Sequence, residues 1–261
     1  MADSVFAPLA EITNLYLDAT QDQYVIGIPK NANLAGDTIG RIAQTERANH
    51  IALIHENPDG SIEKFTYAEL DDLANRFAVS LRKLGVQRGE PVAINTAQGR
   101  ETAIAHMAVY KLGAIALTVS HLYGPDAVVH VINDSGTRVF ISQSEYWSRL
   151  RDHCNNLPSL QHCIVNGPCE PGEIEFNTCL EVSLEGFEPV ISDTEEPAIL
   201  MYTSGSTGKP KGMVHSHRLL HAFQPSLTLV YNLELNFENG VFWTPSDWAW
   251  VGGLFDVALP A

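Results

Sequence analysis

Basic charge is scarce in this chain: 16 Lys and Arg residues stand against 31 Asp and Glu among 261 residues, a formal net charge of −15. Nucleic acids and anionic membrane surfaces both require a dense basic face, so neither is an expected partner. No apolar stretch reaches the roughly 20 residues of a membrane span. The opening "MADSVFAPLAEITNLYLDAT" also lacks the basic start of a secretory signal, so a cytoplasmic location is expected. Cysteine is sparse as well. Cys154, Cys163, Cys169 and Cys179 have no paired C-x-x-C spacing, which favours a reduced chain over a disulfide scaffold. The neighbours His153–Cys154 and His162–Cys163 invite a zinc reading, but adjacent side chains diverge on a strand or helix, and no metal site is expected. Internal repeats and low-complexity segments are absent too. What is there is ordinary globular composition, 45% hydrophobic and 18% charged, with enough apolar residues for a substantial core. Small molecules are the expected partners.

The chain alternates strand and helix patterns. "IALIHENPDGSIEKFTYAELDDLANRFAVSLRKLGV" reads as strand, Pro-Asp-Gly turn, short strand and helix. Thr66 followed by Glu69 forms a capping box; Leu70, Leu73, Phe77, Leu81 and Leu84 then recur at steps of three and four, and Gly85 offers the left-handed residue that ends the helix. "PVAINT", "AIALTVS" and "RVFIS" read as strands, separated by helices in "GRETAIAHMAVYKLG" and "GPDAVVHVINDSG", the latter with Pro125 at its start. Strands apolar on both faces imply an α/β domain with a mostly parallel sheet covered by helices on both sides. Residues 166–196, rich in Pro, Gly and acid, read as surface connection with one short helix, and the sheet resumes at Ala198.

The stretch "ILMYTSGSTGKPKGMVHSH" holds the strongest chemical signal. Ile199 to Tyr202 reads as a buried strand, and Leu219, Leu220, Phe223 and Leu227 beyond it recur at helical spacing, which places the loop between a strand and a helix. Gly205 and Gly208 let backbone N–H groups approach a ligand, Thr203, Ser204, Ser206 and Thr207 add hydroxyls, and Lys209 and Lys211 add positive charge. Donors and cations without an acid describe a phosphate site. No Asp or Glu lies between Pro197 and Leu233. Walker A fails on spacing because Pro210 follows Gly208 and Lys209, and neither a Gly-x-Ser-x-Gly elbow nor a Gly-x-Gly-x-x-Gly turn is present. Histidines His215, His217 and His221 follow closely, with His217 the best placed for a direct role and solvent contacts or helix caps the plainer reading.

The run "YTSGSTGKPKG" resembles the signature of the adenylate-forming superfamily, which includes acyl-CoA synthetases, peptide-synthetase adenylation domains and luciferases. "FTYAELDDLANRFAVSLRKLGVQRGEPVAI" and "VYKLGAIALTVS" are similar to earlier blocks of that family, and "WTPSDWAWVGGLFDVALPA" to a segment of its acetate-like and medium-chain acyl-CoA synthetases. The resemblance runs from Arg41 onward, which makes residues 1–40 an N-terminal extension and 41–261 part of the family's large N-terminal AMP-binding domain. It implies a ligase in which a carboxylic acid attacks the α-phosphate of ATP, with Mg²⁺ shared by the phosphates, and coenzyme A takes the acyl group. By the same resemblance Thr203, Ser204, Gly205, Ser206, Thr207, Gly208 and Lys211 wrap the ATP phosphates, with Thr207 and Lys211 as the catalytic pair and Lys209 at a more variable position. Trp250, Val251 and Gly252 fall where relatives line the acyl pocket, although a core role for Trp248 and Trp250 is the commoner one for tryptophan. The two glycines after Val251 imply either a pocket wall set back to admit acids longer than acetate or simply close helix packing.

The family's later blocks for adenine, ribose, hinge and C-terminal lysine do not occur, and the chain stops in an apolar run at Ala261. The expectation is therefore a truncated ligase, inactive alone; the alternative is a noncatalytic protein that retains part of the nucleotide-binding fold.

Overall fold

Two antiparallel hairpins precede the main sheet in the computed structural model, which describes residues 15–18, 20–203, 209–230 and 240–260. Strands β1 (Leu15–Asp18) and β2 (Gln23–Ile26) form the first, and β3 (Ile51–Glu56) and β4 (Ile62–Thr66) the second. Helix α1 (Tyr67–Lys83) starts at the expected capping box: Thr66 Oγ1 accepts from the Glu69 N–H, and the Glu69 carboxylate accepts from the Thr66 N–H at 2.8 Å. It ends at Gly85, whose φ of +85° is the left-handed turn a glycine takes without strain.

The rest alternates: β5 (Pro91–Asn95), α2 (Arg100–Lys111), β6 (Ile115–Thr118), α3 (Pro125–Ser135), β7 (Val139–Gln143), β8 (His162–Asn166), β9 (Ile174–Glu175), β10 (Pro197–Thr203), β11 (Lys211–Ser216) and α4 (Leu219–Val230). Strands β5 to β11 make one sheet in the order β11-β10-β6-β5-β7-β8-β9, parallel throughout except for the antiparallel β10–β11 pair. Alternate residues feed separate cores. Val92, Ile94, Ile141, Ile164 and Ile199 face α1 and α2, while Ala93, Leu117, Phe140 and Val165 face α3 and Trp147. This is the two-sided burial that the apolar strands imply, and it makes the domain an α/β fold with a mostly parallel sheet.

Helix α2 is buried along its whole length, so its charges need partners. Lys111 Nζ reaches Asp71 Oδ1 of α1 at 2.7 Å with the lysine side chain 3% exposed. Upstream, Leu34, Ala35 and Ile39 enter the α1–α2 core, and Asn33 Nδ2 donates to the Tyr110 carbonyl at 2.8 Å.

Two expectations are corrected. The glycine-rich loop joins two strands rather than a strand and a helix: Lys211–Ser216 pairs with β10, and α4 begins only at Leu219. Backbone pairing along β10 takes up a segment whose lysines and glycine hide its alternation. Residues 166–196 are also less peripheral than their composition implies. Phe176 is fully buried and stacks on Phe77 at 4.6 Å, and β9 adds to the sheet edge just before it.

Candidate functional site

The carboxyl ends of the parallel strands meet at one rim, where open α/β sheets bind their ligands. Thr203 ends β10 there and is the register partner of Lys211 at the start of β11; both side chains are exposed. The hairpin therefore sets a hydroxyl and an ammonium side by side at the base of the glycine-rich loop. Ser204, Gly205, Ser206, Thr207 and Gly208 lie outside the described residues.

Helix α3 braces this hairpin. His130 Nε2 lies 3.0 Å from the Pro210 carbonyl and donates to it in the Nε2–H tautomer, while the Tyr202 hydroxyl donates to Asp134 Oδ2 at 2.7 Å. Burial, followed by the Asp134 carboxylate, raises the Tyr202 phenol above its ordinary range, so it remains a donor. From the loop before α3, Tyr123 Oη points to the Tyr202 carbonyl at 3.5 Å, and its ring meets Trp250 edge-on at 6.4 Å. Tyr123 thus touches both the base of the candidate phosphate loop and the candidate acyl wall.

Trp250 is 48% exposed and precedes a short helix, Val251–Gly253, which continues into a wider π-type turn, Leu254–Ala258. Val251 is 43% exposed. The two glycines differ. A Cβ on Gly252 meets nothing nearer than Asp256 Oδ2 at 3.8 Å, whereas one on Gly253 falls 2.5 Å from the Ser246 carbonyl oxygen. Gly253 is needed for close packing of its own turn, whereas Gly252 has room for a Cβ. Trp248 instead packs edge-on to His106 at 6.2 Å beside the core.

Asp247 fastens this segment to the sheet. Its Oδ2 accepts from Ser120 Oγ at 2.7 Å, just beyond β6, and its Oδ1 accepts from the Ala249 N–H at 3.0 Å. His121 Nδ1 lies 3.2 Å from the same Oδ2 without hydrogen-bond alignment, so that contact is coulombic and present when the ring is protonated. Beside it Asn95, His121, Tyr123, Tyr146 and Arg149 line a small cleft.

The three histidines after the loop do not converge on it. His217 is 1% exposed, and its Nδ1 accepts from the Leu34 N–H at 3.1 Å, which requires the neutral ring. Burial holds it down at about 4. His215 meets Phe255 edge-on at 5.2 Å, and His221 Nε2 lies 3.4 Å from Asp37. These are packing and anchoring roles. Among the described residues no group of three or more His, Cys, Asp or Glu side chains converges as a metal site. Sequence reasoning missed Tyr123, His130, Asp134, Ser120 and Asp247. His130 and Asp134 sit four residues apart in α3, and that spacing on one helix face was the available signal.

A model of the family described as AMP-binding enzyme matches residues 41–261. An acetyl-coenzyme A synthetase of Pseudoalteromonas translucida is 31% identical over 272 residues, covering 95% of this chain and 41% of the relative. A 3-hydroxypropionyl-coenzyme A synthetase of Sulfurisphaera tokodaii is 30% identical, covering 85% of this chain and 36% of the relative. The chain therefore spans about two fifths of the curated relatives it matches. Among solved structures, an acyl-CoA synthetase of Brucella canis shares the fold with a TM-score of 0.75 at 21% identity, covering 97% of this chain and 43% of that one. An anthranilate CoA ligase in complex with anthranoyl-AMP aligns with a TM-score of 0.69 at 29% identity, over 75% of this chain and 37% of that one.

Proposed function

The chain belongs to the AMP-binding enzyme family, and on that premise we propose that it supplies the phosphate loop and the acid-pocket wall of a ligase that activates a carboxylic acid with ATP. The acid's carboxylate oxygen attacks the α-phosphorus of MgATP, the bond to the pyrophosphate oxygen breaks, and an acyl-adenylate forms. The thiol of coenzyme A then attacks the acyl carbon and AMP leaves. No protein nucleophile is required, so the protein's part is placement and charge.

Each residue has a specific part in that scheme. Thr203 and the backbone and hydroxyl donors of Ser204, Gly205, Ser206, Thr207 and Gly208 hold the β- and γ-phosphates. Lys211 adds a cation to the charge that builds on the pyrophosphate leaving group, with Thr207 as its hydroxyl partner. Trp250, Val251 and Gly252 form the wall against which the acid's chain lies. Because Gly252 has no side chain and leaves room there for at least a Cβ, the wall is set back, and the substrate is a short- to medium-chain acid longer than acetate.

The observation that carries the reading is Tyr123. It contacts both the Tyr202 carbonyl, one residue before Thr203, and the Trp250 ring, which supports a reading with phosphate loop and acid wall close together. An acid bound at Trp250 thus lies next to the phosphates of a nucleotide held by the hairpin.

The test uses inorganic tripolyphosphate with Mg²⁺, titrated calorimetrically into the chain and into Lys211→Ala. Loss of one charge-assisted contact weakens binding by roughly 10- to 150-fold, the equivalent of about 1.5–3 kcal/mol. Equal affinity in both proteins contradicts the assignment of the loop.

A further inference from the structure

We infer that Asp247 is a positioning residue that sets Trp250 against Tyr123 and thereby fixes which acids the site accepts. The inference rests on the reading of Trp250 as the acid-pocket wall. Its structural part stands on the contacts of a single carboxylate.

The segment from Thr244 to Trp250 has no regular secondary structure of its own. Two groups tie it to the sheet. Gln98, in the loop after β5, donates from Nε2 to the carbonyls of Thr244, at 3.2 Å, and Ser246. Asp247 does the rest with side chain and main chain together. Oδ2 takes the Ser120 hydroxyl, Oδ1 closes a turn on the Ala249 N–H, and the Asp247 carbonyl accepts from the Trp250 N–H at 3.0 Å. The Trp250 carbonyl then accepts from the N–H groups of Gly253 and Leu254 at 3.1 and 3.0 Å. One carboxylate, 9% exposed as a residue, therefore ties the backbone just before the tryptophan to the end of β6, and main-chain bonds carry that anchor through Trp250 into the following turn.

Among the described residues the half-exposed Trp250 indole has Tyr123 as its ring partner. Tyr123 follows Ser120 and His121 by three and two residues, so the stretch that receives the Asp247 carboxylate also carries the ring that Trp250 meets. When Asp247 loosens, the indole leaves Tyr123 and the wall moves with it. A buried acceptor of three contacts is an unusual expenditure for an exposed loop unless the position of that loop matters.

The experiment labels the protein with 5-fluorotryptophan and follows the four fluorine resonances, assigning Trp250 with Trp250→Phe. Trp147, 3% exposed in the opposite core, reports the fold. Variants are Asp247→Asn, Asp247→Ala and Ser120→Ala; the last removes one hydroxyl and carries the test if Asp247→Ala disturbs all four resonances. Loss of the clasp moves or broadens the Trp250 resonance in each variant, least in Asp247→Asn, and leaves Trp147 in place. Sodium salts of acids from acetate to hexanoate are then titrated. In the parent protein the affinity read at Trp250 rises about fourfold per added methylene, and in the variants that increment shrinks. An unmoved Trp250 resonance in all variants overturns the inference, as does a moved resonance with an unchanged methylene increment. If no acid perturbs Trp250 in the parent while the variants still move it, the acid-pocket reading of Trp250 is the part overturned, and the clasp stands.

Discussion

Mild acid is expected to destabilise this chain through buried histidines, His106 and His217 most strongly, before its carboxylates protonate. His106 and His217 are each 1% exposed, and burial pulls them from an ordinary 6.5 to about 3 and about 4. For His217 the Glu196 and Asp37 carboxylates oppose that shift without cancelling it. Both rings stay neutral in the native state at a pH where the unfolded chain charges them. The unfolded state therefore binds more protons between about pH 6.5 and pH 4, so stability rises with pH across that window and is lost as pH falls. Each unit of displacement is worth about 1.36 kcal/mol, which makes His217 alone responsible for roughly 3 kcal/mol by pH 4. With both rings titrating in the unfolded chain, the slope approaches about 2.7 kcal/mol per pH unit. A domain with a total stability of about 5–15 kcal/mol does not survive much of that. Glu90 and Glu196, held below their ordinary range by Arg138 and Arg88, act in the same direction only below about pH 4.5. The upper part of the window thus isolates the histidines. The assay is urea unfolding between pH 7.5 and 5 for the parent and for His217→Gln, whose amide oxygen still accepts from the Leu34 N–H. The variant loses about one proton's worth of slope, close to 1.4 kcal/mol per pH unit. Identical slopes, or stability that is flat from pH 6.5 to 5, refute the reasoning.

The two glycines after Val251 separate in a thermal melt. Gly253→Ala forces a Cβ to 2.5 Å from the Ser246 oxygen and destabilises by about 1–3 kcal/mol, while Gly252→Ala, with no heavy atom nearer than 3.8 Å, stays within about 0.5 kcal/mol. Lys111→Met leaves the Asp71 carboxylate, 15% exposed, without its cation and lowers denaturant stability by about 3–5 kcal/mol. A second substitution, Asp71→Leu, restores most of that loss in the same measurement.

The layered architecture was legible because its signals are local. Thr66 and Glu69 announce α1 within four residues, and strands apolar on both faces imply helices on both faces. The hairpin was misread for a physical reason: "KGMVHS" carries its lysine, glycine and serine on a strand whose partner, β10, supplies the pairing from across the loop. His217 looked like a candidate for chemistry because it follows the loop in sequence; in space it is tied to Leu34, 183 positions away. Phe176, eleven residues from the next aromatic in an acidic stretch, gave no periodicity to read. Asp247 was invisible for the same reason as His217. Its partner Ser120 lies 127 residues earlier, and no spacing rule reaches that far. What sequence does show at the candidate site is chemistry, the hydroxyls, glycines and lysines of 203–211. What it hides is support, the braces His130, Asp134, Tyr123 and Asp247.

Acid-dependent exchange of labelled pyrophosphate into ATP, by this chain completed with the later blocks of a relative and by its Lys211→Ala and Thr207→Ala variants, tests the central claim most directly. The account predicts exchange that requires a carboxylic acid, is greater with butyrate or hexanoate than with acetate, and falls roughly 10- to 150-fold in each variant. Exchange that proceeds equally without added acid, or that survives both substitutions unchanged, contradicts it.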